Sequence, residues 1–252
     1  AAKGLKAIRE ILSDGEPLTR GEIVERLAAQ GVVLDRRTQA PIHLIGLAAL
    51  EGIVCLATDT PTGETTYPLA EKWIRQGKTL ARDEALAELA RRYLKGYAPA
   101  STRDFAGWSG LALTDAKRAW EGLKGELVEA EVEGNLLWMP EAAKKPGKTE
   151  MSVRLLPAFD AYLLGYADRA LLVAKQHQSE VYHGGQTVPV VLVDGLAAGT
   201  WRYKRQGKRL EITVHPFEEF DGSVRELIAE EADDIGRFWG VKASLAYSEK
   251  PV

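Results

Sequence analysis

The chain has one cysteine, Cys55, in 252 residues, which excludes an internal disulfide and any zinc site built from cysteines. Cys55 lies in the apolar run 53–56, so a buried, inert thiol is expected. Histidine is nearly as scarce. His43, His177, His183 and His215 stand far apart without ligand spacing, and each reads as a surface or satisfied core residue rather than a metal ligand. No apolar run approaches the roughly 18 residues of a membrane span, and the N-terminus has no signal-peptide h-region; a cytoplasmic protein without membrane contact is expected. A GxGxxG after a strand, a P-loop, HExxH and GxSxG are all missing, and the acidic residues fall into no recognisable acid/base pair. Neither a cofactor nor a metal is expected. The net charge of −3 leaves no overall nucleic-acid footprint, so any DNA contact must come from where individual basic residues lie.

What is present belongs to an ordinary globular protein: 45% hydrophobic and 27% charged residues, with length enough for two or three small domains. The stretch 153–169, VRLLPAFDAYLLGYADR, divides a helix-rich part from a strand-rich part. Pro157 ends its first apolar run, because its ring fixes φ and it has no N–H to give to a ladder. Asp160, Asp168 and Arg169 then sit among Tyr162, Tyr166 and other apolar residues, where charge is costly unless paired or facing a cleft. Two readings stay open: an Asp–Arg pair bracing a domain junction, or the wall of a ligand pocket.

Before this stretch one pattern occurs twice. Leu5, Ile8 and Leu12 mark a first helix. TRGE at 19–22 is a capping box before a second helix, and a third begins within 35–41 and runs to about Glu51. That third helix is apolar almost all round, which predicts a buried scaffold helix with His43 inside. Residues 53–57 and 65–69 read as a strand pair. The order recurs from Asp83: an amphipathic helix carrying Leu86, Leu89, Ala90, Tyr93, Leu94 and Tyr97, a second cap in STRD at 101–104, a helix capped by Thr114, and strands at 127–132 and 136–139 around Gly134-Asn135. Residues 141–150 are polar and aperiodic, as in a linker. Short strands at 188–193, 200–203 and 210–214 suit a small, partly closed β-barrel, and a helix at 224–238 is expected to cover its open edge or end. The predicted fold is α+β: two tandem winged helix-turn-helix domains (1–76 and 77–140), the linker (141–150), and a β-barrel-like domain with a C-terminal helix (151–252).

Basic residues gather in three places: Arg36 and Arg37 before the first repeat's third helix, Lys117, Arg118 and Lys124 on the outer face of the second's, and Arg202, Lys204, Arg205, Lys208 and Arg209 in one hairpin with Trp201 and Tyr203 interleaved. The hairpin is the densest. Such a ribbon can track phosphates, or it is a sheet edge protected from pairing by its charges.

LLPAFDAYLLGYADR, VPVVLVDGLAAGTWRYKRQGKRLEI and ALAELARRYLKGYAPASTRDFAGWSGL resemble the corresponding segments of the winged-helix DNA glycosylase family typified by AlkZ and YcaQ, and the likeness runs along essentially the whole chain. The resemblance implies excision of alkylated or cross-linked bases, three tandem winged helices and a β-barrel, of which this chain corresponds to the second and third winged helices and the barrel. It places the catalytic Gln-aliphatic-Gln or Gln-aliphatic-Asp triplet in the first winged helix, ahead of Ala1. Gln176-His177-Gln178 imitates that triplet, but its middle residue is not aliphatic and it stands in the barrel region, so no catalytic residue is assigned. The expected partner is damaged double-stranded DNA, bound by a monomer. Two readings compete with a glycosylase fragment: a non-enzymatic DNA-binding or regulatory protein, and a protein-interaction scaffold.

Overall fold

The computed structural model describes residues 1–75, 77–132, 134–143 and 150–248; residues 144–149 of the expected linker lie outside them. The chain forms two compact units, Ala1–Thr79 and Leu80–Val252, and is mixed α and β throughout.

The first unit packs α1 (Ala2–Ile11), α2 (Arg20–Ala29) and α3 (Ala40–Leu50) around Ile8, Leu12, Ile23, Leu27, Ile45 and Ala48. Thr19 Oγ1 accepts from the Glu22 N–H at 3.3 Å while Glu22 accepts from the Thr19 N–H at 2.7 Å, so α2 begins where the capping box predicts. Leu18–Thr19 forms β1, which pairs antiparallel with β2, Thr66–Tyr67, and α4 (Ala70–Trp73) follows. The expected pair 53–57 and 65–69 is reduced to a Val54–Leu69 bridge and backbone bonds from Cys55 to Pro68 and Ala57 to Thr66.

Two expectations fail in this unit. Cys55 is half-buried rather than buried. The helix expected to be buried all round buries Pro41, Ile45 and Ala48 and packs Leu44 partly against the core, leaving His43 exposed, with Ile42 and Leu50 48% and 88% exposed. A unit this small covers one face of α3 and has nothing to lay on the other.

In the second unit α5 (Arg82–Tyr97), α6 (Thr102–Ser109) and α7 (Leu113–Glu121) enclose Leu86, Ala90, Tyr93, Leu94, Phe105, Ala116, Ala119, Trp120 and Leu123, beside the hairpin β3 (Leu127–Val132) and β4 (Asn135–Pro140). Ser101 caps α6. The N-cap of α7 is Ala112, so Thr114 lies inside the helix and does not cap it.

The strand-rich region is built on a five-stranded sheet in the order β11, β10, β9, β8, β5, where β5 is Val153–Leu156, β8 Val190–Val193, β9 Leu196–Gln206, β10 Arg209–Pro216 and β11 Lys242–Tyr247. No closed barrel is found among the described residues: β5 and β11 are the two edges. The intervening segment carries α8 (Ala161–Leu164), α9 (Gln178–Val181) and the small hairpin β6–β7 (Tyr182–His183 and Gln186–Thr187). The C-terminal helix α10 (Gly222–Phe238) covers a face, not an edge or an end. It packs Val224, Ile228 and Ala232 on Val153, Leu155, Val191, Leu210, Ile212 and Val214, while β11, parallel to β10, takes the edge. On the opposite face Leu163, Leu172, Val173 and Val181 lie against Val190 and Leu192. Among the described residues no helix is long and apolar enough to cross a membrane.

Candidate nucleic-acid interface

The stretch 153–169 ties the helices of the second unit to its sheet. Tyr93 donates from its hydroxyl to the Gly165 carbonyl at 2.7 Å, Tyr97 to Ala161 at 3.1 Å, and Tyr166 back to Tyr97 at 2.8 Å. A β-carbon on Gly165 would fall 2.3 Å from the Tyr97 ring, so only glycine permits this approach. Asp104, 3% exposed, accepts from the Ser101 N–H and hydroxyl at 2.8 and 2.6 Å and, with its other oxygen, from the Ala167 N–H at 2.8 Å.

Burial pushes Tyr166 up to about 12, with the charges of Tyr162, Asp104 and Tyr97 adding to it; burial likewise raises Tyr93 and Tyr162. The folded state therefore favours the neutral phenol. Its contribution to stability is complete below the ordinary tyrosine pKa near 10 and is lost as pH rises towards about 12. A spectrophotometric titration should show a tyrosine class ionising about two units late, and that class should shrink in Tyr166→Phe. Ordinary ionisation of every tyrosine in the folded protein would refute the burial argument.

The predicted pocket residues of this stretch combine local caps with bonds to distant parts of the second unit. Asp160 caps α8 through the Tyr162 N–H at 2.9 Å, Tyr162 donates to Gly195 O at 3.0 Å, and Asp168 accepts from the Ala170 N–H at 2.9 Å. Arg169 lies 4.0 Å over the Tyr182 ring. The expected bracing Asp–Arg pair does not form: Asp160 and Asp168 each accept from a backbone N–H two residues on, and Arg169 pairs with neither. Asp168 does line a cleft of about 490 Å³ with Arg103, Asp104 and Asn135.

The three basic groups differ in how much charge they leave free. In the first unit Arg36 and Arg37 line a groove of about 580 Å³ with Arg20, Thr38, Gln39 and Tyr67. Arg36 pairs with Glu25 at 3.0 Å and Arg37 with Asp35 at 3.2 Å, and the Arg37 guanidinium holds the Asp35 carboxyl below its usual range. These are exposed pairs, weak because water and salt screen them, which a phosphate can displace. On α7, Arg118 meets Asp83 at 2.6 Å and Asp115 at 3.6 Å; Lys124, expected on the helix face, lies in the turn after Gly122 ends α7 and meets Glu121 at 3.7 Å. Only Lys117 of that trio has no ion-pair partner among the described residues.

The β9–β10 hairpin is different. Arg202, Lys204, Arg205, Lys208 and Arg209 are all exposed, and none meets a carboxylate among the described residues. Gly207, at φ 57°, makes the tight turn. Register and alternation place Arg202, Lys204 and Arg209 on the sheet face away from α10, with Glu211 opposite Lys204 and Lys242 of β11 as Arg209's neighbour. Arg205 lies on the other face, 5.4 Å from the Trp239 ring, which also meets Tyr203 at 5.0 Å. Sequence reasoning missed Arg20 and Lys242; the first directly follows a cap, but the second is brought in by a non-local strand pairing.

A second cleft, of about 620 Å³, holds His177, Glu180, His215, Phe217 and Tyr247. Glu180 lies 2.7 Å from His177 Nδ1 and 3.6 Å from His215 Nε2, while His215 Nδ1 donates to Ser248 O at 2.8 Å. The expected histidine isolation thus fails for this pair, which the fold brings together, although among the described residues no cluster could hold a metal. His183 is exposed. Gln178 donates to Val173 O at 3.1 Å and Gln176 approaches His177 at 3.4 Å, so both glutamines bond within their own turn.

A family model described as "DNA glycosylase AlkZ-like" matches residues 1–238. Among solved structures, the Streptomyces sahachiroi DNA glycosylase AlkZ is similar, with 26% sequence identity and a TM-score of 0.76; the match covers 97% of this chain and 68% of that one. No curated protein matches.

Proposed function

Because the chain belongs to the AlkZ-like DNA glycosylase family, we propose that it is the DNA-binding portion of a glycosylase that repairs alkylated or cross-linked DNA. It holds damaged duplex DNA as a monomer, through two tandem winged helices and a barrel-like sheet domain, without metal or cofactor. The observation that carries this is the β9–β10 hairpin, whose five cations are exposed and close no ion pair among the described residues, with one carboxylate, Glu211, opposite Lys204 in the register. Phosphates are the fitting partners, and such contacts confer affinity without sequence preference. The groove at Arg20, Arg36 and Arg37 supports the same reading, since the third helix of a winged helix presents its N-terminal end to DNA.

Hydrolysis of an N-glycosidic bond needs a positioned water and stabilisation of the charge developing on the sugar. None of Gln30, Gln39, Gln76, Gln176, Gln178, Gln186 and Gln206 begins a Gln-aliphatic-Gln or Gln-aliphatic-Asp triplet. Incubated with duplex carrying an alkylated purine, this chain should bind in a salt-dependent way and release no base above a no-protein control. Base release abolished by Gln176→Ala with Gln178→Ala would overturn the assignment of chemistry to other residues. Absence of any salt-dependent binding would overturn the DNA-binding role itself.

A further inference from the structure

Phe159 stands in the left-handed backbone region, at φ 59°, with 53% of its surface exposed. Both features are costly for a bulky residue. Glycine or asparagine is the usual occupant of such a turn position, and a ring in water forgoes burial. Among the described residues Phe159 stacks on no other ring. The turn is nevertheless held firmly. The Phe159 N–H donates to Thr187 Oγ1 at 2.6 Å, Thr187 is itself buried, and the next residue, Asp160, caps α8. Backbone strain fixed from both sides, with an apolar side chain held outward, marks a residue kept for an external contact.

Its position says which contact. The turn springs from Leu156, whose carbonyl accepts from Trp201 Nε1 at 2.8 Å, and the Trp201 backbone N–H donates to Pro189 O at 3.1 Å. Trp201 is thus clamped between the ends of β5 and β8, and the run of exposed cations starts at the next residue. The segment between β5 and β8, which carries Phe159, covers the sheet face away from α10, the face on which Arg202 and Lys204 project. The turn after β5 stands at the end of the sheet where β9 runs on past Val190 into the basic hairpin, and an exposed aromatic ring at that end, together with a phosphate-tracking ribbon, makes a pairing suited to unstacked bases.

We propose that Phe159 is a base-stacking residue, so that this surface prefers DNA holding an unpaired or looped-out base over perfectly paired DNA. This rests on the hairpin reading above and names the DNA structure it selects. The test compares two duplexes of equal length, one fully paired and one with a central unpaired 2-aminopurine, by anisotropy and 2-aminopurine emission at several salt concentrations. The wild-type chain should bind the unpaired-base duplex about ten-fold more tightly, with quenched emission, as expected for one base stacked on one ring. Phe159→Ala should lose that preference and the quenching while binding the paired duplex unchanged, and Phe159→Trp should keep both. Phe159→Gly, which relieves the backbone, should melt no lower than wild type and also lose the preference. A preference that survives Phe159→Ala, or a wild-type chain that binds both duplexes equally, would overturn the proposal and leave the hairpin reading standing. Binding to neither duplex would sink both.

Discussion

Replacing Asp104 with alanine should destabilise the second unit by about 3 kcal/mol, because one buried carboxylate serves two distant parts of the chain. One oxygen accepts from the Ser101 N–H and hydroxyl and closes the α6 cap; the other accepts from the Ala167 N–H, 63 residues further on. Loss of a cap alone costs about 1 kcal/mol. Beyond it, the substitution leaves partly buried donors at Ser101 and Ala167 unanswered, and hydrogen bonds to a charged acceptor contribute about 1.5–3 kcal/mol. Asp104→Asn keeps the shape but turns one acceptor into a donor, so an intermediate loss is expected. Urea unfolding followed by tryptophan fluorescence would report it, since Trp108 and Trp120 lie in the same aromatic cluster as Phe105. A midpoint for Asp104→Ala equal to that of the wild type would show that the stretch at 165–168 is held by the tyrosine hydroxyls alone.

Asp104 also shows where reading the sequence works and where it stops. The three-residue spacing of Ser101 and Asp104, like that of Thr19 and Glu22, encodes a helix start locally, and both boxes form. The second bond of Asp104 depends on where a distant loop comes to lie, which no local pattern carries. The same division holds elsewhere. Alternation and Gly207 mark the basic hairpin, whereas the parallel pairing of β11 with β10, which adds Lys242 to the basic face, spans a whole helix. Composition misleads at α3: its apolar letters run round the helix, but burial depends on what the unit has available to cover it, and His43 ends in solvent. Asp115 and Glu121, three residues from Arg118 and Lys124, are legible in the sequence as a partial offset of their charge, whereas the contact of Arg118 with Asp83 becomes visible only with α5 and α7 packed. The letters of Phe159 give no hint of its backbone conformation.

That contrast in free charge sets the last expectation. Arg205→Glu with Lys208→Glu and Lys117→Glu with Arg118→Glu change the net charge equally, so a general loss of attraction would weaken DNA binding alike. The structure separates them, because the hairpin pair has no carboxylate partner among the described residues, while Arg118 is already engaged by two. Each phosphate that is no longer neutralised should flatten the slope of log affinity against log salt by about 0.9, and giving up two such phosphates should weaken binding on the order of 50-fold near 0.1 M salt. The hairpin variant should show that full effect. The helix variant should give up about one phosphate, the one met by Lys117, and should also melt lower, since a carboxylate at position 118 would face Asp83 and Asp115 with like charge. Titrations of duplex DNA across a salt series, on variants first checked for folding, decide the matter. Wild-type binding by the hairpin variant together with failure of a folded helix variant would make the basic ribbon a protected sheet edge and α7 the surface that holds DNA.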